Sequence, residues 1–171
     1  MTIMSTENLN NQEAIEKLQK LVNEIDVGFM TTFPAHQDYP HSVPMSRQEV
    51  DDHGHIWYLC STESDTHQHL LKDPKIMIHF AHVGHYAFLT VEGKAVVSHD
   101  RTRIDKYWNK FMEAWFEKGK DDPNIRVIQV IPDDAHYWDN KTNKLVTLLK
   151  VASSAVTGQK MDIGREGSLD L

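Results

Sequence analysis

HIWYLCSTESDTHQHLLKDPKIMIHFA, residues 55–81, is the stretch on which the reading of the fold turns. His55–Cys60 is apolar and aromatic and reads as a strand; Lys75–Ala81 reads as a second. Between them, hydroxyl and acidic residues open a short amphipathic stretch that Asp73-Pro74 stops. Two readings of this loop stand side by side. In one it is a cap: Thr62-x-x-Asp65 has the form of a capping box, and Ser64 or Asp65 can be the N-cap itself. In the other it is an anion cradle, with Ser61, Thr62, Ser64 and Thr66 hydroxyls and backbone amides around a phosphate and His67 adding charge. The loop carries no Lys or Arg before Lys72, and the Asp65 carboxylate repels an anion unless it points away. Spacing alone leaves both readings open.

Upstream, Gln12–Ile25 places Ile15, Leu18, Leu21, Val22 and Ile25 at helical spacing. Val27–Thr32 reads as a strand, Phe33–Pro40 as a turn-rich connection, and His41–Met45 as a short extended segment whose Pro44 implies an edge or a bulge. Asp51–Gly54 is a hairpin turn signal. Downstream, a turn at His82–His85 leads to a long strand, Tyr86–Ser98, with a bulge expected at Gly93. A second helix is expected over Thr102–Lys118, ended by Gly119. Strands follow at Ile125–Ile131 and Ala135–Trp138, then a helix at Lys144–Thr157 capped by Asn143. Residues 1–11 read as a flexible N-terminus, 12–158 as a single domain and 159–171 as a loose polar tail. Six or seven strands punctuated by helices, without regular strand–helix alternation, place the chain in the α+β class as a small barrel or sandwich.

The composition agrees with one globular domain: 171 residues, 40% apolar and 25% charged. A single cysteine, Cys60, excludes an intrachain disulfide framework. The net charge of −7, with no basic stripe, argues against nucleic acid as a partner. No apolar run is long enough for a membrane span, and MTIMSTENLNNQ lacks the layout of a signal peptide. A soluble, cytoplasmic protein is the expectation. Eleven histidines include close pairs such as His53 with His55 and His67 with His69. Without a Cys pair or a His-Glu helix motif they read as ordinary turn and surface residues, so no metal is expected. No Gly-x-Ser-x-Gly elbow occurs, and Cys60 reads as a buried structural thiol. Trp108, Trp115, Phe116, Tyr137 and Trp138 read as core aromatics, some of which can border a pocket for a flat ring.

Taken together, HSVPM (41–45), WYLCSTESDTHQHLLKDPKIMIHF (57–80), LTVEGKAVV (89–97), AWFEKGKDDPNIRVIQV (114–130) and AHYWDNKTNKLVTLLKVASSAVTG (135–158) resemble the bacterial general stress protein branch of the pyridoxamine 5′-phosphate oxidase-like FMN-binding split barrels. The resemblance runs from about Ile15 to Gly158. It implies a six-stranded antiparallel split β-barrel with peripheral helices, working as an isologous homodimer with FMN in a groove at the interface. It implies that His41, Ser42, Val43, Pro44 and Met45 line the isoalloxazine and ribityl chain, chiefly through backbone. Cys60, Ser61, Thr62, Ser64, Thr66 and His67 would hold the phosphate. Trp138 would approach the flavin from the partner subunit, Lys144 lies near a following cation, and Trp115 is a further aromatic candidate. The chain departs from the pattern at two places: Ser64-Asp65-Thr66 stands where relatives have Ser-x-Lys, and Val43 where they have Arg. Each charge-assisted hydrogen bond missing in this way weakens binding by about tenfold to 150-fold.

The implied function is a flavin-dependent oxidoreductase served by a flavin reductase or another electron donor. Two readings of other classes accompany it: a non-catalytic flavin carrier or a barrel that has lost FMN, and a module for haem or a deazaflavin in the same groove. Oxidation of pyridoxamine phosphate itself needs a further anion site, and Arg47, Arg101, Arg103 and Arg126 are scattered along the sequence.

Overall fold

The computed structural model describes residues 3–140 and 162–171. The expected helix at Lys144–Thr157, with Lys144 in it, lies outside the described residues. Among those described, the alternating stretches become ten strands: β1 (Ile3–Thr6), β2 (Leu9–Asn10), β3 (Val27–Thr32), β4 (His41–Ser46), β5 (Glu49–Val50), β6 (Ile56–Ser61), β7 (Lys75–His82), β8 (Ala87–Ser98), β9 (Ile125–Asn140) and β10 (Asp162–Asp170). The helices are α1 (Asn11–Glu24), α2 (Asp65–Leu70) and α3 (Arg101–Tyr107). One sheet runs in the order β1-β10-β9-β8-β7-β3-β4, with β2 beside β10 and β6 joining β9 to β5. The class is α+β, as expected. The strand count of six and the wholly antiparallel sheet are both corrected, because β1 and β2 run parallel to β10.

The two separate strands expected between Ile125 and Trp138 are one strand of sixteen residues. Pro132 does not end it. The bulge between Glu92 and Gly93 falls opposite Pro132, so the residue that cannot donate to the ladder sits where the ladder is already irregular. Gly93 suits this position, since a Cβ there would overlap the Ile131 carbonyl oxygen. β6 pairs with Ile125–Val130 of β9 and β10 with Ala135–Asn140, on the edge opposite β8.

The expected helix over Thr102–Lys118 is also corrected. Asp100 caps α3 by accepting from the Arg103 amide, but the helix stops at Tyr107 with Trp108 extended (φ −61°, ψ 127°). The Asn109 carboxamide oxygen then accepts from the Phe111 amide and starts a 3₁₀ segment, Lys110–Ala114, so a local side-chain bond outcompetes continuation.

The tail was expected to be loose, and it forms β10 instead. Leu169 is its one fully buried large side chain among residues 164–171; otherwise hydrogen bonds and charge hold it in place. Arg165 Nε donates to Asp139 Oδ1 at 2.6 Å, and Lys17, buried on α1, pairs with the same carboxylate. The Lys17 ammonium also lies 4.6 Å from the centre of the Tyr137 ring. Burial lowers the Lys17 pKa, and the Asp139 hydrogen bond opposes that shift. The supposedly flexible N-terminus is tied to the same edge, with Tyr137 Oη donating to the Glu7 carbonyl at 2.8 Å.

Ala14, Leu18, Leu21 and Val22 of α1 cover the inner face of the sheet, against Met30, Tyr58, Ile78, Phe80, Leu89 and Ile128. A second apolar cluster, with Trp57, Ile104, Phe116 and Val127, lies under α3.

Gly167 tests the reassignment of the tail, because a Cβ there would overlap the Glu7 carbonyl oxygen. Gly167→Ala is expected to destabilise the fold by about 2–3 kcal/mol. Gly119→Ala, at φ +67° with open space around it, is expected to lose only about 1 kcal/mol. Denaturant unfolding of both variants checks the difference; equal losses would mean β10 is not packed against the N-terminal arm.

Candidate functional site

The Ser61–His67 loop first settles its own local chemistry. Ser64 is the N-cap of α2: its Oγ accepts from the His67 amide at 3.2 Å and donates to the Ser61 carbonyl at 2.7 Å. Ser61 Oγ accepts from the Glu63 amide at 3.2 Å, and Thr62 Oγ1 donates to Asn124 at 3.0 Å. Three of the four hydroxyls expected around a phosphate thus have protein partners. Asp65 is exposed and turned to solvent, which removes the repulsion its carboxylate implied; Thr66 and His67 are buried. The cap reading holds with Ser64 as the N-cap, while the Thr62-x-x-Asp65 box does not form, since Thr62 Oγ1 is engaged by Asn124.

Cys60 lies at the end of β6 inside the main core. Burial pushes its thiol up to about 12, with Arg126 and a Ser64 hydrogen bond acting the other way. It is a packed, unreactive thiol.

β4 divides its residues between two faces. Ser42 and Pro44 are exposed and turn outward, Ser42 Oγ sharing a 2.7 Å hydrogen bond with Thr31. His41, Val43 and Met45 are half-buried and turn to the inner face, where Val43 pairs with Met30 and Met45 with Gly28. As the last strand of the sheet order, β4 leaves every second N–H and C=O unpaired on its free side. The end of β3 and the start of β4 both meet α2 at His69. Thr32 Oγ1 and His69 Nδ1 are 2.9 Å apart, and the His41 and His69 rings meet edge to face at 5.3 Å. His41 Nδ1 is buried with no partner among the described residues. An orphaned imidazole nitrogen beside an open strand edge fits a groove whose occupant supplies the missing hydrogen bond.

Trp138 lies on the other face of the sheet. The register Phe29, His79, Thr90, His136 runs across β3, β7, β8 and β9, and Trp138 shares that face, its ring 4.5 Å from His136. Phe29 is 56% and Val27 49% exposed there. Trp115 stands 80% exposed outside both apolar clusters, so the expectation that it is a core aromatic is corrected; in one chain it packs into no buried wall.

Sequence reasoning missed two groups. His69 bonds the end of β3 to α2 and sets its ring against His41 of β4. Arg126, opposite Cys60 in the β6–β9 register, brings a guanidinium to the loop. Its signal was present in IRVIQVI: Arg126 shares the strand face of Ile128 and Val130, which point into the main core, and a charge on a core-facing register position needs a reason. Among the described residues, no group of three or more His, Cys, Asp or Glu side chains is set to hold a metal ion. No helix among them is long and apolar enough to cross a membrane.

Residues 13–162 match the family model described as pyridoxamine 5′-phosphate oxidase like. The chain belongs to this family. As a member of the pyridoxamine 5′-phosphate oxidase-like proteins it is 27% identical over 132 residues to General stress protein 26 of Bacillus subtilis, covering 74% of this chain and 89% of the relative. The same fold appears in a putative general stress protein 26 from Jannaschia sp. CCS1, with TM-score 0.78, 20% identity and coverage of 93% and 99% of the two chains. A Xanthomonas citri protein described as a general stress FMN/FAD binding protein is 27% identical with TM-score 0.65, covering 78% of this chain and 93% of its own.

Ser64→Ala removes a cap and is expected to lower stability by about 1 kcal/mol, read by thermal or denaturant unfolding. At pH 8 the Cys60 thiol is expected to resist an aromatic disulfide reagent in the native protein, since a raised pKa keeps it protonated, and to react fully after unfolding. Fast native reaction would show that Cys60 is neither buried nor raised.

Proposed function

We propose that the protein is an FMN-binding member of its family that works as a flavin-dependent oxidoreductase, with two equivalent sites at a homodimer interface. The observation that carries this reading is the open edge of β4 beside an orphaned His41 Nδ1, with the His69 ring of α2 set against His41. The family membership supports it, as does the likeness to the Xanthomonas citri protein described as FMN/FAD binding.

The flavin, when bound, supplies the electron-transfer chemistry. The chain's own residues bind and orient. Free N–H and C=O groups of β4 match the donor and acceptor edge of the ring system. The inner face of β4 is apolar at Val43 and Met45, which would shield a ring seated at its edge from water. His41 Nδ1 gains a partner. Phe29 and Val27 expose apolar surface on the outer face that carries Trp138, which suits burial against a second copy of the same face. In that arrangement, Trp138 of the partner subunit completes the wall. Electrons arrive from a flavin reductase or a small reduced donor.

A visible spectrum of the purified protein, followed by an FMN titration, tests the reading. Flavin bands or saturable fluorescence quenching are expected, and a colourless protein indifferent to FMN would overturn the proposal. Phe29→Glu falls on a largely exposed side chain outside both apolar clusters. It is expected to yield a monomer by light scattering and to weaken FMN binding at least about tenfold, or about 1.4 kcal/mol. A monomeric variant that binds FMN unchanged would show that the site is contained in one chain.

A further inference from the structure

The loop that would hold the flavin's phosphate carries no cation of its own, and its caps are spent on protein partners. α2, at six residues, is also too short to supply much dipole. Charge for a phosphomonoester must therefore come from elsewhere in the fold. We propose that Arg126 of β9, with the buried imidazole of His67 near it, is the anion-binding centre at the Ser61–His67 loop. It would replace the cations that Val43 and Thr66 do not provide and make the site selective for a phosphorylated flavin. The proposal rests on the flavin reading of the groove given above.

Geometry carries it. Arg126 pairs directly across from Cys60, one residue before Ser61 opens the loop, and its side chain shares the inner face with Cys60. The guanidinium is anchored at the loop junction: Nη1 donates to the Pro123 carbonyl at 2.8 Å and to the Ile125 carbonyl at 2.7 Å. The next residue, Asn124, fixes the loop itself, accepting from the Thr62 amide at 2.8 Å and from Thr62 Oγ1 at 3.0 Å. An arginine has five N–H donors, and Nε and Nη2 here have no hydrogen-bond partner among the described residues. Nor does Arg126 form an ion pair among them. The acids of the loop leave room: Asp65 and Glu63 are both exposed, with Glu63 accepting from Asn124 Nδ2 at 3.3 Å.

Electrostatics agree. His67 is held below its ordinary pKa by burial and then by the Arg126 charge, so the guanidinium is close enough to be felt at the imidazole. A half-buried, anchored guanidinium beside a buried imidazole forms a positive site that a phosphate dianion relieves.

The test compares wild type, Arg126→Gln and Arg126→Lys in titrations with FMN, riboflavin and inorganic phosphate. Wild type is expected to prefer FMN over riboflavin. Arg126→Gln should lose about 10- to 100-fold in FMN affinity while riboflavin affinity stays the same, and Arg126→Lys should fall between. Equal losses for both flavins, no loss, or a wild type that does not distinguish them would overturn the assignment to Arg126 and leave the flavin reading standing. A wild type that binds neither flavin would overturn the flavin reading instead. Inorganic phosphate then decides the Arg126 site: raising the melting temperature of wild type but not of Arg126→Gln supports it, and identical behaviour overturns it.

Discussion

The arrangement depends on the two edges of β9. β8 occupies one along nearly its whole length, so β6 and β10 must share the other, β6 on the first half and β10 on the second. The irregularity at Gly93 and Pro132 divides those halves. Because β6 takes the first half, its end and the loop after it lie beside the start of β9. That places Arg126 next to Cys60 and Asn124 next to Thr62. The second half carries Trp138 and the Asp139 carboxylate, which ties α1 and β10 together through Lys17 and Arg165. The residues that hold the Ser61–His67 loop and the carboxylate of the ion cluster that ties α1 to β10 thus sit on one continuous strand or directly before it.

Much of this was legible in the sequence where one residue type has one strong preference. Val27–Thr32 and the bulge at Gly93 follow from β-branched runs and from the cost of a side chain at a crossing point. Pro44 announced an edge strand, and β4 is one. Asp51–Gly54 announced a hairpin, and Gly54 has the φ of +77° that such a turn demands. The errors share a different cause. Ile125–Ile131 and Ala135–Trp138 read as two strands because continuity through Pro132 depends on a bulge in a neighbouring strand, which periodicity does not reveal. The polar tail reads as loose because β10 is stabilised by partners more than a hundred residues away in sequence, Glu7 and Asn8 among them. Helix α3 was read too long because the Asn109 side chain offers the backbone a better local bond than the next turn does.

The site was legible to a smaller degree. The loop hydroxyls were named correctly as residues, but sequence spacing does not show which of them are already engaged. The structure answers that with Ser61, Thr62 and Ser64 bonded to protein. Arg126 reads in the sequence as one of four scattered arginines, since only the strand register shows which of them meets the loop. Its inward position in IRVIQVI was the one available signal, and reading it required knowing that Ile128 and Val130 face the main core.

The pairing of β1 and β2 with β10 bears on how the chain is made. Residues near the N-terminus find their strand partner only after residues 162–170 have been synthesised. Until then, the second half of β9 presents an open edge. Such long-range closure is intrinsically slow, because the entropy of bringing distant segments together is spent before the contacts form. The nascent chain therefore passes through a state in which most of the sheet is built and one edge is unguarded, a point of exposure to aggregation that the finished fold no longer shows. The Asp139 carboxylate, bridging Lys17 from the early helix and Arg165 from the late strand, is the residue on which that closure locks.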